Sequence, residues 1–313
     1  MIGYIVRRVL MVIPIMLGVT LIVSSILYLS PGDPARIMLG PNARPSVVQQ
    51  LREDLGLDKP FHIRYFSWLG SLLQGHMGVS LQRNVPVTKM IMSRLPASME
   101  LAFFAALVAW TIALPTGLIS AVKPYTFFDN ISMFFALFWV SMPSFWLSIV
   151  AIILFALWLG IFPISGYGGP FWTLSGIMHI ALPAFCTGAR LVAMLTRLIR
   201  SKMMDELGKD YVRTARSKGL KEYLVVMKHA LRNSLIPTIT VFGLQVPALF
   251  SLSIIIETVY AWPGMGRLLV DGVFKRDYPL VQGIVLMYTF IVVMTNLAVD
   301  LIYGYIDPRI KYD

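Results

Sequence analysis

Residues 99–122 read MELAFFAALVAWTIALPTGLISAV. Glu100 stands at the edge of this run, and nothing charged follows it as far as Val122. A helix of that length crosses a hydrocarbon core of about 30 Å. Four runs like it follow, at Ile131–Gly160, Ile177–Ile199, Thr238–Tyr260 and Val281–Ile306. An earlier one spans Met11–Ser30, behind Arg7 and Arg8. That first run is long for a signal peptide, and no small-residue cleavage site follows before Pro31-Gly32-Asp33-Pro34, so it reads as a retained span. The fold class is therefore all-α, a polytopic membrane protein with six transmembrane helices.

Composition agrees. Of 313 residues, 57% are hydrophobic and only 14% charged, against roughly a quarter charged in soluble domains. Mean hydropathy is +0.72. A lone cysteine, Cys186, excludes an intrachain disulfide and a cysteine-based metal cluster. The net charge of +11 would suggest nucleic acid in a soluble protein. In a bilayer it suggests Lys- and Arg-rich cytoplasmic loops, and no nucleic-acid partner is expected.

Six spans place both termini on one side. With the N-terminus inside, the inner segments hold Arg7, Arg8, Lys123, a dense set from Arg197 to Arg232, Arg309 and Lys311. The short outer loop 161–176 holds no Lys or Arg, and the outer loop 261–280 holds Arg267, Lys275 and Arg276. The expected orientation is N-in and C-in. The division is a transmembrane helix over 1–30, an extracytoplasmic helical subdomain over 31–96, a five-helix core over 97–306 and a cytoplasmic tail over 307–313. In the subdomain, Ser46-Val47-Val48-Gln49 has the form of a capping box ahead of Gln50–Gly56. Lys59-Pro60 restarts a helix carrying Phe61, Tyr65 and Trp68, which Gly75 and Gly78 end. Asp54, Asp58 and this aromatic cluster suggest a packed surface, one that seats a partner or guards the pore mouth, or serves as a stabilising cap. Pro143 interrupts the third run and is expected to kink or tilt it.

Catalytic patterns are missing. The chain has no G-x-x-x-x-G-K-[ST], no H-E-x-x-H and no G-x-S-x-G. No catalytic residue, metal site or cofactor is assigned, and His179 near Ser175 reads as an interfacial side chain. Arg190 stands about halfway along its run. A charge there costs about 2.5–3.5 kcal/mol on insertion scales, so it should face a wet cavity or a partner, either on the pathway or in a helix-pairing contact.

The segment Arg197–Pro237, RLIRSKMMDELGKDYVRTARSKGLKEYLVVMKHALRNSLIP, is the most informative. From Arg197 to Arg232, ten basic residues face four acids, a net of +6. Helix formers run from Met203 to Ser217, acids early and bases late, in the order a helix dipole favours. Gly219 breaks the run. Leu220, Leu224, Met227 and Leu231 then recur at helical spacing, and Pro237 marks the start of the next span. Two short helices joined at a glycine form a docking knob on the inner face, within the loop 200–237.

At this point the chain resembles a known family, the permease subunits of dipeptide/oligopeptide/nickel ABC importers. The matching stretches are Arg7-Arg8, PGDPAR at 31–36, LGLDKP at 55–60, DYVRTARSKGL at 210–220, HALRNSLIP at 229–237, WPGMGRLLVD at 262–271, RDYPLVQG at 276–283 and NLAVDLIYGYIDPRI at 296–310. In ABC importers the loop before the penultimate span carries a motif close to E-A-A-x-x-x-G. Aligning its glycine with Gly219 puts Arg213, Thr214 and Ala215 on the E-A-A positions. Only Ala215 and Gly219 match. Arg232 stands where the general motif has a proline. The peptide branch instead resembles R-T-A-R-x-K-G.

The resemblance implies a type I importer permease. This chain would form half of a translocation path and catalyse nothing itself. Its partners would be a second permease, two cytoplasmic ATP-binding subunits and an extracytoplasmic solute-binding protein, all at a prokaryotic inner membrane. The ATPase-coupling residues would be Arg213, Thr214, Ala215, Lys218, Gly219 and Leu220. Short peptides or peptide-like solutes such as glutathione would be carried, with nickel or a sugar as alternatives. A self-contained carrier or channel would also explain six spans, though it leaves the basic double helix unexplained. A membrane enzyme would need a convergent catalytic set that the sequence lacks.

Overall fold

The computed structural model of the chain describes residues 2–29, 34–40, 43–54, 56 and 58–306. The tail expected at 307–313 and the start of the PGDPAR stretch, 31–33, lie outside the described residues. Among those described, the regular structure is helical, with a single bridge pairing Val79 and Pro86 in antiparallel fashion.

The helices are α1 (Ile2–Leu29), α2 (Pro34–Leu39), α3 (Pro45–Asp54), α4 (Phe61–Leu73), α5 (Val87–Val122), α6 (Phe127–Ser141), α7 (Ser144–Ala151), α8 (Leu174–Leu207), α9 (Asp210–Ser217), α10 (Glu222–Leu224), α11 (Leu231–Val259), α12 (Met265–Phe274) and α13 (Tyr278–Ile306). A wide π-helical segment, Ile152–Trp158, extends α7, and another, Val225–Ala230, joins α10 to α11. Among the described residues, five helices are long and apolar enough to cross a membrane, and a sixth span is counted if α6 and α7 with its extension form one. That pair bends by 113°. The break falls at Met142 and Pro143, where the proline ring forces the preceding residue into extended backbone, at φ −86° and ψ 135°. The expected kink is therefore a full break, as in a broken span or a re-entrant loop.

Chain contacts form two compact units, Met1–Ser98 with Pro263–Leu297, and Met99–Trp262 with the part of α13 from Ala298. In the first unit, the Tyr65 hydroxyl of α4 lies 2.9 Å from Thr20 Oγ1 of α1, both buried. The buried Asp277 carboxylate accepts from the Ser80 hydroxyl and, at 3.1 Å, from the Leu81 amide. α5 begins twelve residues before the apolar run at Met99. Its polar first turns are held by tertiary contacts. Ser98 Oγ accepts from the Met265 amide at 2.8 Å, and a Cβ on Gly283 would lie 2.6 Å from Val87. α12 lies within what reads in sequence as an outer loop, burying Met265, Leu268 and Gly272.

α3 starts at Pro45, a favoured first helical residue, so Ser46 is inside the helix and the expected capping box is not formed. Gln49 donates to Glu53 instead, at 3.0 Å. α4 follows Pro60, and Gly75 takes φ +84° just beyond its end.

The second unit is organised around α8, which packs on α6, α7 and α11. Its backbone also meets α5. A Cβ on Gly188 would lie 2.6 Å from the Ala105 carbonyl oxygen, and one on Gly117 would lie 2.8 Å from the Thr196 carbonyl oxygen. Ala105, Ala109 and Ala113 line the α5 side, fully buried. Small residues at helical spacing let helices approach closely in a bilayer. Because the obstacle at Gly188 is backbone, Gly188→Val should force the helices apart at a cost of about 1–3 kcal/mol. Purified protein should show a lowered Tm and poor monodispersity. Gly70→Ala, whose Cβ meets open space on α4, should leave both unchanged.

Candidate functional site

The loop between α8 and α11 is built from the end of α8 outward. The helix stops at Leu207, and Lys209 takes extended backbone at ψ 154° before α9 begins. The single helix expected from Met203 to Ser217 is thus two helices with a joint at Gly208 and Lys209. A side-chain cluster locks that joint. The Glu206 carboxylate accepts from Lys209 Nζ at 2.5 Å and from the Tyr211 hydroxyl. Asn233 Nδ2, at the start of α11, donates to the same hydroxyl at 3.1 Å. Partial burial and the adjacent Glu206 carboxylate push the Tyr211 phenol above its ordinary value, so it remains a donor. Tyr211 therefore fastens α9 to the root of α8 and to α11.

α9 is amphipathic. Val212 and Ala215 are buried against Val225 of the π segment, with Leu207 at the edge. The helix closes in a Schellman turn. Gly219, at φ +75°, donates its amide to Arg216 O at 2.9 Å, and Leu220 donates to Ala215 O at 3.4 Å. Across the turn, Arg216 forks onto Glu222, Nε to Oε2 at 3.1 Å and Nη2 to Oε1 at 2.7 Å. The bonded carboxylate raises the Arg216 pKa above its ordinary value. Exposed on both sides, the pair contributes only about 0.2–1 kcal/mol.

The candidate coupling residues divide between the two faces of this knob. Ala215 is its inner contact. Arg213, Thr214, Lys218, Gly219 and Leu220 are exposed. Arg213 reaches Asp210, at 3.4 Å, and the Thr214 hydroxyl donates to the Asp210 carbonyl at 2.9 Å. Leu220, Leu224 and Met227 do not share an inward face with Leu231. Leu231 is buried and the other three are exposed, because the π segment shifts the register between them. Pro237 lies inside α11, not at its start. The outer surface is thus basic on α9 and apolar beyond the turn, where Tyr223 is 71% exposed. Sequence reasoning missed Tyr223 and the Glu206–Tyr211–Asn233 cluster. The clue was a tyrosine, an asparagine and an acid around a glycine inside a loop of apparent helix formers.

Elsewhere, His179 Nδ1 lies 2.8 Å from the Ser175 carbonyl oxygen, a backbone contact and not a nucleophile–base pair. Among the described residues no three metal-binding side chains converge. Cys186 is buried in α8, 3.4 Å from the Tyr260 hydroxyl. Arg190 is exposed on α8.

The chain matches two family descriptions. Residues 113–312 match the binding-protein-dependent transport system inner membrane component, and residues 1–102 match the N-terminal part of such membrane components. It is 40% identical to the oligopeptide transport system permease protein AppB of Bacillus subtilis, covering all of both chains. It is 36% identical to the dipeptide transport system permease protein DppB of Escherichia coli K12, over 100% of this chain and 99% of that one. In fold it resembles a chain of the MetNI methionine ABC transporter in an inward-facing conformation, with a TM-score of 0.57 and 14% identity over 70% of this chain and 96% of that one. The family match and the end-to-end identity together place this chain in the family of inner membrane components of binding-protein-dependent transport systems.

Proposed function

We propose that this chain is the permease subunit of an ATP-driven importer of short peptides. The observation that carries the reading is identity of 36–40% with oligopeptide and dipeptide permeases over the whole chain. A second permease would complete the path, a solute-binding protein would deliver substrate outside, and two ATP-binding subunits would seat on the α9 knob. The knob's form supports that last contact. It is exposed, basic on α9 and apolar beyond the turn, and pinned at its root. Arg213, Thr214, Lys218, Gly219 and Leu220 form its outer surface, with Ala215 holding it to the loop. The excess of Lys and Arg in the α8–α11 loop supports a cytoplasmic position for it, with both termini on that side and residues 31–96 outside.

Uptake of a labelled dipeptide by vesicles holding all five components tests the substrate. Import that requires ATP and the binding protein is expected, and accumulation by this chain alone would overturn the reading.

Orientation is checked by labelling in a Cys186→Ser background. Asp58→Cys should react with an impermeant maleimide on intact spheroplasts, and Lys221→Cys only after permeabilisation. The reverse pattern would invert the topology.

Gly219 tests the coupling role. A Cβ there meets open space, so the obstacle to substitution is the positive φ and not crowding. Gly219→Val should cost about 1–3 kcal/mol locally, too little to stop the spans inserting. Membrane levels should stay normal while ATPase association and peptide-stimulated ATP hydrolysis fall. Normal hydrolysis and uptake at normal abundance would remove Gly219 from the coupling path.

A further inference from the structure

Between Ile180 and Ile199, α8 is mostly buried, and the two exposed residues of that stretch, Arg190 and Arg197, lie on one narrow stripe. Arg190, Met194, Arg197 and Ser201 fall within about 60° of one another around the helix axis. Arg190, Arg197 and Ser201 are exposed and Met194 is half-buried, whereas Leu191, Val192, Ala193, Leu195 and Thr196 around them are buried. Above Arg190 the same face is closed. Pro183, Cys186 and Thr187 are buried, and Cys186 lies against the Tyr260 hydroxyl, which bonds Ser148 O at 3.3 Å. The stripe therefore opens from Arg190 toward the α9 end of α8, with a guanidinium at its closed head and a second one about 10 Å further along.

Neither arginine has an ion-pair partner among the described residues. A mid-helix guanidinium cannot be left to lipid, so the stripe borders either water or the partner permease. Two like charges two turns apart would each need an acid on a facing helix. A water-filled path needs none, because solvent and an anionic cargo satisfy them in turn. Short peptides carry one invariant anion, the C-terminal carboxylate, and a guanidinium matches it as a fork.

Building on the peptide-import reading above, we infer that Arg190 is the contact for the substrate's C-terminal carboxylate within the path, and that Arg197 receives it next. The carboxylate is common to all short peptides, so this contact would hold the cargo without selecting side chains.

The test uses the complete transporter in proteoliposomes with peptide-loaded binding protein, measuring peptide imported per ATP hydrolysed. In Arg190→Gln, hydrolysis stimulated by loaded binding protein should persist while import per ATP falls about ten-fold, the size of one lost charge-assisted hydrogen bond. Arg190→Lys should recover part of it. If Arg190 instead pairs with an acid of the second permease, the Arg190→Gln complex that does assemble will lose hydrolysis and import together, which overturns the inference. Unchanged import per ATP overturns it too. Should Arg190→Gln not assemble, Arg190→Lys decides. A drop in import per ATP at normal hydrolysis supports the contact, and parallel or absent losses reject it. These outcomes leave peptide import by the unmodified complex intact. Failure of that complex to import any peptide would instead overturn the substrate reading, and this inference with it.

Discussion

Two backbones in contact set the frame of the second unit. α5 and α8 run in the same direction, touching at Gly188 and Ala105 and again, about three turns on along α5 and two along α8, at Gly117 and Thr196. Lipid is as apolar as leucine, so burying apolar surface gives little reason for two spans to associate. Close approach and interhelical hydrogen bonds must supply it. Both are present, since Thr116 and Thr196 bring their hydroxyls within 3.1 Å. A helix so firmly held on one side can leave a narrow polar stripe open on another without losing its place. Arg190 depends on that.

The long uncharged runs were legible because bilayer thickness dictates length and composition together. Elements held by tertiary contacts were not. The first turns of α5 contain Lys89, Arg94 and Pro96, which argue locally against a span, and they persist because Ser98 and Val87 meet the segment around Met265 and Gly283. α12 follows Pro263-Gly264, a loop signal, yet buries one short face. Pro143 was visible as an interruption, but nothing local separates a mild kink from a break of 113°. At the loop, the glycine turn could be read from chemistry alone. The break at Lys209 could not, because the order of acids and bases suits one helix as well as two.

The knob shows how little local energy its shape requires. α9 has eight residues, too few to hold a helix in water alone. Its form rests on Val212 and Ala215 packing against Val225, on the Tyr211 hydroxyl at the root and on one permissive residue at the tip. Nothing lies within 4 Å of the missing Gly219 Cβ. The tip is therefore shaped by backbone conformation and not by packing around Gly219.

The strength of two ion pairs decides where motion entering that surface would go. At the tip, Arg216 and Glu222 are both exposed, and their pairing yields easily. At the base, Arg200 of α8 forks onto Asp129 of α6 at 2.6 and 2.7 Å, with the carboxylate only 1% exposed. The Tyr125 amide adds a third bond to Asp129 at 2.8 Å. Losing Arg200 would leave the dry Asp129 carboxylate charged and unpaired, which costs more than losing a surface pair, although Arg200 itself is 21% exposed. The compliant joint thus lies where a partner would press, and the stiff one lies where α8 meets α6. Tyr211 ties α9 to the end of α8, Arg200 and Asp129 tie α8 to α6, and α6 ends at the break at Pro143, so one chain of contacts joins the outer face of the knob to the broken span.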